Sequence, residues 1–318
     1  MKKYLLSLLC GILLLPGCNY LDMVPEKDIE TIESLFEQRT KVENWWKGLY
    51  SELNMIFANF RVNVAYLGAD EFVTCQALYS DAIYNLDGLK VADGLQMSQN
   101  PYGAIWYRMY VIIRNCNIFL ENVDRTYDMT EEDRNWWKAL KAYVYFELVR
   151  HYGPICLVPQ NMPVNLPVKD YQLPRQHVDT CFKEIVNLLD EAMEYLPKHG
   201  QRVSNYGYTF SLEGAYALKA KVLLYAASPL FNGNAFYSDF KNPDGTFLIN
   251  QTYDREKWKR AMDAAKEAID LCEENGYKLY GNSTNDLEQG KKNYHEAFVG
   301  DGISGSGFNW NEVLFGFA

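Results

Sequence analysis

Apolar side chains recur three and four residues apart along most of this 318-residue chain, the spacing that gathers them on one face of an α-helix. In residues 255–272 they fall at Trp258, Ala261, Met262, Ala265, Ala268, Ile269 and Cys272, a single apolar face that predicts a helix. Residues 176–196 repeat the pattern with Cys181, Phe182, Ile185, Leu188, Leu189, Ala192, Met193 and Leu196, and Pro197 and Gly200 mark its end. A third helix is predicted to start after Thr130, whose hydroxyl can cap backbone amides with Asp133 in a capping-box position, and to stop at Gly153-Pro154. Its apolar residues, among them Trp137, Leu140, Tyr143, Val144, Phe146 and Leu148, cover more than one stripe, as expected of a helix packed on two sides. Further helices are predicted near residues 32–57, 103–123 and 211–227. In the last of these, Ala215, Ala217, Ala220, Ala226 and Ala227 permit close approach of a neighbour, and Ser228-Pro229 ends it.

These segments predict a mainly α fold, a tetratricopeptide-like stack of helical pairs in which each pair buries its face on the next. No tidy 34-residue period is present, so the stack rests on helix lengths and on the resemblance described below. Long irregular stretches, chiefly 72–102, 154–174, 229–254 and 281–309, separate the helices, and in a helical scaffold such loops are where ligands are expected.

The N-terminus follows a different rule. Lys2 and Lys3 precede an apolar run over residues 4–15, closed by Leu15-Pro16-Gly17-Cys18. A bilayer-spanning helix needs about 20 apolar residues, so this shorter run reads as an export signal. Gly17 directly before Cys18, with Leu15 three positions upstream of it, suits a lipoprotein signal peptidase; Pro16 departs from the small or β-branched residue usual there. Residues 1–17 are therefore expected to be a lipoprotein signal peptide, with Cys18 lipidated, 18–31 a polar tether and 32–318 one helical domain. Plain secretion with a free Cys18 thiol is the alternative. More than one acyl chain on Cys18 would hold the protein stably on a membrane and leave the body in water.

Loss of Lys2 and Lys3 leaves 29 of the 31 basic side chains against 41 acidic ones, a formal charge of −12. No basic stripe is present, which argues against nucleic acid as a partner. Of seven cysteines, five remain after Cys10 and Cys18 are set aside: Cys75, Cys116, Cys156, Cys181 and Cys272. The odd count argues against a complete disulfide framework, and no pair has C-x-x-C spacing, so most are expected to be small buried apolar residues.

Catalytic signatures are scarce. The four histidines, His151, His177, His199 and His295, offer no H-E-x-x-H spacing, so a zinc hydrolase is poorly supported and no metal is expected. Residues 302–307 carry their glycines at the wrong positions for a nucleophile elbow, and no phosphate-binding glycine motif occurs, so no cofactor is expected. Asp70 and Glu71 are neighbours in sequence, whereas a glycosidase needs carboxylates on opposite sides of one bond, about 5–9 Å apart. A capping or loop-ordering role is expected for them, and the chain reads as a non-enzyme. Asn242-Pro243-Asp244-Gly245 is expected to form a turn.

Aromatic content is high, with 24 Tyr and 7 Trp. Flat rings stack on the C–H face of a sugar while Asn, Asp and Arg bond its hydroxyls, and the same rings also suit peptides. The stretch 79–107 is the richest mixture, and Tyr79, Asp81, Tyr84, Asn100 and Tyr102 are its candidate ligand-binding residues. A second candidate loop holds Tyr280, Asn282, Tyr294, Asn309 and Trp310. Trp106 and Trp258 lie on apolar helical faces and read as core. Trp45-Trp46 and Trp136-Trp137 each place one indole inward and one sideways, towards a possible partner.

The order of these features resembles the SusD/RagB family of Bacteroidetes outer-membrane lipoproteins. Cys18-Asn19-Tyr20-Leu21-Asp22 followed by Pro25 is similar to its post-lipobox opening. Trp106, Tyr110, Ile113 and Asn117 resemble a W-x-x-x-Y-x-x-I-x-x-x-N helix. Ala142 to Arg150, then Tyr152-Gly153-Pro154 and Leu157-Val158, resemble the family's next motif, with Lys141 in place of its usual Arg. Ala217-Leu218-Lys219-Ala220-Lys221 with Tyr225-Ala226-Ala227-Ser228-Pro229 matches the following helix, and Asn311-Glu312-Val313-Leu314-Phe315 the last segment.

The resemblance implies a surface-exposed lipoprotein of the outer membrane, not an enzyme, that captures oligosaccharides or polysaccharides and hands them to a SusC-like TonB-dependent transporter. Ligand would be held by loops on the exposed face. A peptide ligand, as in the RagB branch, and a helical scaffold that docks another chain without a small ligand are the alternatives. Family members usually run well beyond 318 residues, so the C-terminal part is expected to be missing.

Overall fold

The computed structural model describes residues 31–58, 104–198, 210–281 and 286–299, with Val91, Gly94 and Leu314 as single positions. The signal segment, Cys18 and the tether up to residue 30 lie outside these. The described residues form eight α-helices: α1 (Ile32–Phe36), α2 (Arg39–Ala58), α3 (Ala104–Asn122), α4 (Glu131–Tyr152), α5 (Val178–Met193), α6 (Leu212–Ala227), α7 (Glu256–Glu274) and α8 (Leu287–Val299). Short 3-10 turns and one isolated bridge, Lys241 with Phe247, complete the regular structure among them.

Where one helix was expected over 32–57, two are present. Thr31 caps α1 through a reciprocal pair with Ser34, and α1 closes at Glu37. Phe36 at this break is buried against Trp45 and Phe119, and its carbonyl accepts the Thr126 hydroxyl, which fixes the bend.

The predicted start of α4 is confirmed in its atoms: the Thr130 hydroxyl accepts the Asp133 amide at 3.2 Å while the Asp133 carboxylate accepts the Thr130 amide at 2.9 Å. Acidic Glu131, Glu132 and Asp133 in its first turn and basic Arg150 and His151 in its last complement the helix dipole. Gly153 ends it with φ of +69°, a conformation disfavoured for side chains with a Cβ, and Pro154 follows. Buried residues cover nearly the whole circumference of α4, because α3, α5 and α6 all pack on it. Both Trp136 and Trp137 are inside, edge to face with each other, and Trp137 stacks on Phe119 at 4.3 Å. The expectation that one of this pair turns sideways is thus corrected: the crowded circumference of α4 takes both. Trp45 is half-buried, and the side chain of Trp46 lies outside the described residues.

Successive helices pack in order, α3 on α4, α4 on α5, α5 on α6 and α6 on α7, as a helical-pair stack of tetratricopeptide type. On α5 the buried set Cys181, Phe182, Ile185, Leu189 and Ala192 follows the helical period, and truncation of Ile185 or Leu189 to Ala costs about 2–5 kcal/mol. α7 packs through Lys257, Ala261, Ala264 and Ala268, set against the alanine-rich α6. The adjacent stripe of α7 faces water: Trp258 is 40% exposed, and Met262 and Ile269 more so. This corrects the expectation that Trp258 is core. Small residues on both helices bring α6 and α7 close along one line, and that line selects only half of the apolar face.

Among the described residues Cys116, Cys156, Cys181 and Cys272 are free, with Cys116 and Cys181 fully buried. Burial pushes the Cys116 thiol up to about 12 and the Cys181 thiol to about 11, so both are packing groups. Cys75 lies outside the described residues.

Candidate functional site

Antiparallel packing brings the start of α3, the end of α4, the start of α5, the end of α6 and the start of α7 to one end of the stack. Two ordered loops, 153–177 and 228–255, are built there. The first runs back along α3 and α4, held by side chains of both. The Tyr110 hydroxyl donates to the Cys156 carbonyl at 2.7 Å and accepts its amide at 3.0 Å. The Tyr145 hydroxyl treats Val158 the same way, at 2.9 Å for both bonds. Buried Lys141 donates to Asn117 at 2.6 Å and to the Pro159 carbonyl at 2.9 Å, and Asn117 donates to the Val158 carbonyl at 3.0 Å. Burial depresses the Lys141 ammonium and raises both phenols.

Arg175 joins this loop to its surroundings. Its guanidinium donates to the carbonyls of Tyr152 and Pro154 at 3.1 and 2.6 Å and lies over Trp106 at 4.9 Å and Phe240 at 5.9 Å. Its carbonyl accepts from Asn242, and the Leu248 carbonyl caps the amide of Val178 at 2.9 Å. The two loops therefore form one body.

Loop 228–255 is closed by asparagines. Asn232 donates to the Asp254 carbonyl at 2.9 Å and accepts its amide at 2.8 Å, and Asn234 and Asn250 bond further backbone groups across the loop. The predicted turn at Asn242 to Gly245 is present, with the Gly245 amide on the Asn242 carbonyl at 2.9 Å. Gly233 has φ of +80°, and a Cβ there would sit 2.7 Å from the Tyr253 nitrogen, so only glycine lets the two strands of the loop pass.

With its backbone bonded inward, the loop turns aromatic rings outward. Phe236 is 88% and Tyr253 60% exposed, with Phe247 less so under Lys241 at 4.3 Å. Tyr107, 71% exposed in the first turn of α3, and Trp258 in the first turn of α7 belong to the same end. Five of the nine exposed aromatics among the described residues thus lie at this end, which makes it the candidate ligand surface.

Tyr79, Asp81, Tyr84, Asn100 and Tyr102 lie outside the described residues, as do Asn282, Asn309 and Trp310. In sequence the first group precedes α3, whose start lies at the aromatic end. Trp106 there is half-buried against Tyr110 and Tyr152 at 4.9 and 5.2 Å, packed on the core rather than within it. Tyr280 is at the opposite end, past the close of α7, where Asn275 donates to Glu213 in the first turn of α6. The 16 residues of α6 span about 24 Å between these ends. Tyr280 itself is half-buried with its hydroxyl 3.5 Å from Glu296 on α8, and Tyr294 on α8 is exposed. Phe236, Phe247 and Tyr253 were not singled out in sequence; only their place in an irregular stretch between two strongly periodic helices marked them. Among the described residues no group of three or more His, Cys, Asp or Glu side chains could hold a metal ion.

A helical-pair stack with ordered loops gathered at one end defines a tetratricopeptide-like helical protein. The chain belongs to the SusD-like family: the family's sequence profile, described as starch-binding and associating with the outer membrane, matches residues 19–224. Among solved structures it is similar to BT4246, at 29% identity and a TM-score of 0.67 over 77% of this chain and 42% of that one. It is also similar to a SusD-like protein, BF3747, from Bacteroides fragilis (19% identity, TM-score 0.59, 89% of this chain and 45% of that). A SusD homolog from Bacteroides thetaiotaomicron gives 18% identity and a TM-score of 0.55 over 82% of this chain and 45% of that. At these lower identities the likeness concerns the fold. The chain spans less than half the length of each of these three structures. No curated protein matches it.

Proposed function

We propose that this chain is the glycan-capturing part of a cell-surface lipoprotein, anchored at Cys18 in the outer membrane, that passes oligosaccharides to a SusC-like TonB-dependent transporter. It acts by binding and not as an enzyme. The observation that carries the reading is the set of outward rings at one end of the helical stack, Tyr107 and Trp258 in first helical turns and Phe236, Phe247 and Tyr253 on a loop whose own polar groups are bonded inward. Rings held in this way offer stacking faces to sugars at little entropic cost. The family's description as starch-binding and outer-membrane-associated supports the same ligand class and location. Tyr79, Asp81, Tyr84, Asn100 and Tyr102, which precede α3 in sequence, are the proposed further partners for the ligand.

Isothermal titration of the chain from Asn19 onward, after circular dichroism establishes that it is helical, tests the reading. Heat with oligosaccharides and none with peptides is expected. Heat with peptides alone would replace the glycan by a peptide ligand, and silence with both would leave a helical scaffold whose exposed α7 stripe of Trp258, Met262 and Ile269 docks another chain.

A further inference from the structure

We propose that the pocket between α5, α6 and α7 receives the carboxylate of an acidic sugar, which makes uronate-containing oligosaccharides the preferred ligands of this chain. The inference rests on the glycan reading above and names its substrate class. The pocket measures about 340 Å³, at the small end of ligand cavities, and is half-open to water at the same end of the stack as the exposed aromatics.

Its floor is apolar, made by Phe182, Val186, Leu223 and Ala226. Its rim is ionic. Lys257, itself buried, pairs with Asp179. Arg260 reaches Asp254 only at 3.4 Å, and that carboxylate already accepts the Glu256 amide at 2.9 Å. Lys183 makes no ion pair among the described residues. Three cations thus face two carboxylates, a local positive excess on a chain whose formal charge is −10. An anion entering here meets Lys183 and Arg260 beside a low-dielectric floor, where the attraction is screened less than on open surface.

The walls decide between anions. Apart from Asp254 of loop 228–255 they are helices, whose interior backbone groups are already bonded, so an extended peptide finds no helical edge on which to pair. A pyranose needs none. Its C–H face lies on Val186 and Leu223, its carboxylate meets Arg260 and Lys183, and its hydroxyls stay on the open side in water. A neutral sugar gains only the first of these contacts.

Titration of the full chain with a trigalacturonate, its neutral methyl ester and maltotriose tests this. The acid is expected to bind at least about tenfold tighter than the ester, a difference of about 1.4 kcal/mol. The Lys183→Gln, Arg260→Gln double variant is expected to abolish that preference, and so is Leu223→Trp, which fills the pocket. Lys183 and Arg260 are exposed, so the charge variant tests the proposal even if the Trp variant fails to fold. Equal binding of acid, ester and maltotriose overturns the acidic-sugar assignment and leaves the glycan reading standing. A preference for acid that survives both variants overturns this pocket as its source. No binding of any sugar overturns both readings.

Discussion

The hydroxyl of Tyr145 stands in for a missing strand: it both donates to the carbonyl and accepts from the amide of Val158, 13 residues away. Backbone groups of residues two apart point the same way in extended chain, so Cys156 presents its own pair on the same edge as Val158, and there Tyr110 of α3 meets it identically. Two phenols thus satisfy a loop that joins no sheet among the described residues, while the carbonyls of Tyr152 and Pro154 hold Arg175 at the aromatic end. Burial keeps both phenols protonated, as the donor role requires.

Tyr145→Phe is expected to lower stability by about 1–3 kcal/mol, because the Val158 amide is left without its partner while its carbonyl keeps Asn117. Urea unfolding reads the loss. Hydrogen exchange localises it: the Val158 amide should lose protection and the Cys156 amide keep it. Equal loss at both amides would mean the loop is held as one piece by something other than the two hydroxyls.

The helices were legible in the sequence because burial on one face leaves a three-and-four spacing, as at Cys181, Phe182, Ile185 and Leu189. Which half of a wide apolar face is buried was not, since on α7 that depends on where the alanines of α6 approach. Trp258 was misplaced for this reason. The path of loop 153–160 was equally hidden, for it rests on pairs 13 and 46 residues apart. Of the candidate ligand residues only Tyr280 and Tyr294 lie within the described part, Tyr280 at the end of the stack away from the exposed rings.

His151, in the last turn of α4, is pushed below its usual value chiefly by burial, although the Glu147 carbonyl on its Nδ1 at 2.8 Å works the other way. Its folded pKa is therefore below 6.5, and between those two values the unfolded chain binds a proton that the folded chain refuses. This contribution is fully present above pH 6.5 and is lost as pH falls through the folded value. Urea unfolding at pH 7.5 and pH 5.5 should show wild type losing more stability on acidification than His151→Gln. The comparison is needed because neighbouring Glu147, raised by burial, responds with the opposite sign.

Gly233→Ala meets two obstacles, a left-handed backbone and the Tyr253 nitrogen 2.7 Å from the new Cβ. Gly276→Ala meets only the first, since φ is +85° there with nothing within 4 Å of the added atom. The backbone alone costs about 1–2 kcal/mol, so Gly276→Ala should lose that much and Gly233→Ala clearly more. Thermal unfolding of the two variants side by side measures the difference, and equal losses would show that the loop yields at Tyr253.

Tyr253 and Phe236 present their rings to water, so their loss should leave the fold alone. Tyr253→Ala and Phe236→Ala are each expected to change stability by no more than about 0.5 kcal/mol, as surface substitutions do. A stacked ring contributes about 0.5–1.5 kcal/mol beyond its area, so each loss should weaken oligosaccharide binding several-fold, up to about tenfold. Calorimetric Kd values against unchanged melting curves separate the two effects. Tyr127→Ala, an exposed ring at the far end of α3, serves as the control and should change neither. Should Tyr127 matter as much as Tyr253, the ligand surface would extend over both ends of the stack, and the outward rings of loop 228–255 would lose their claim to be its centre.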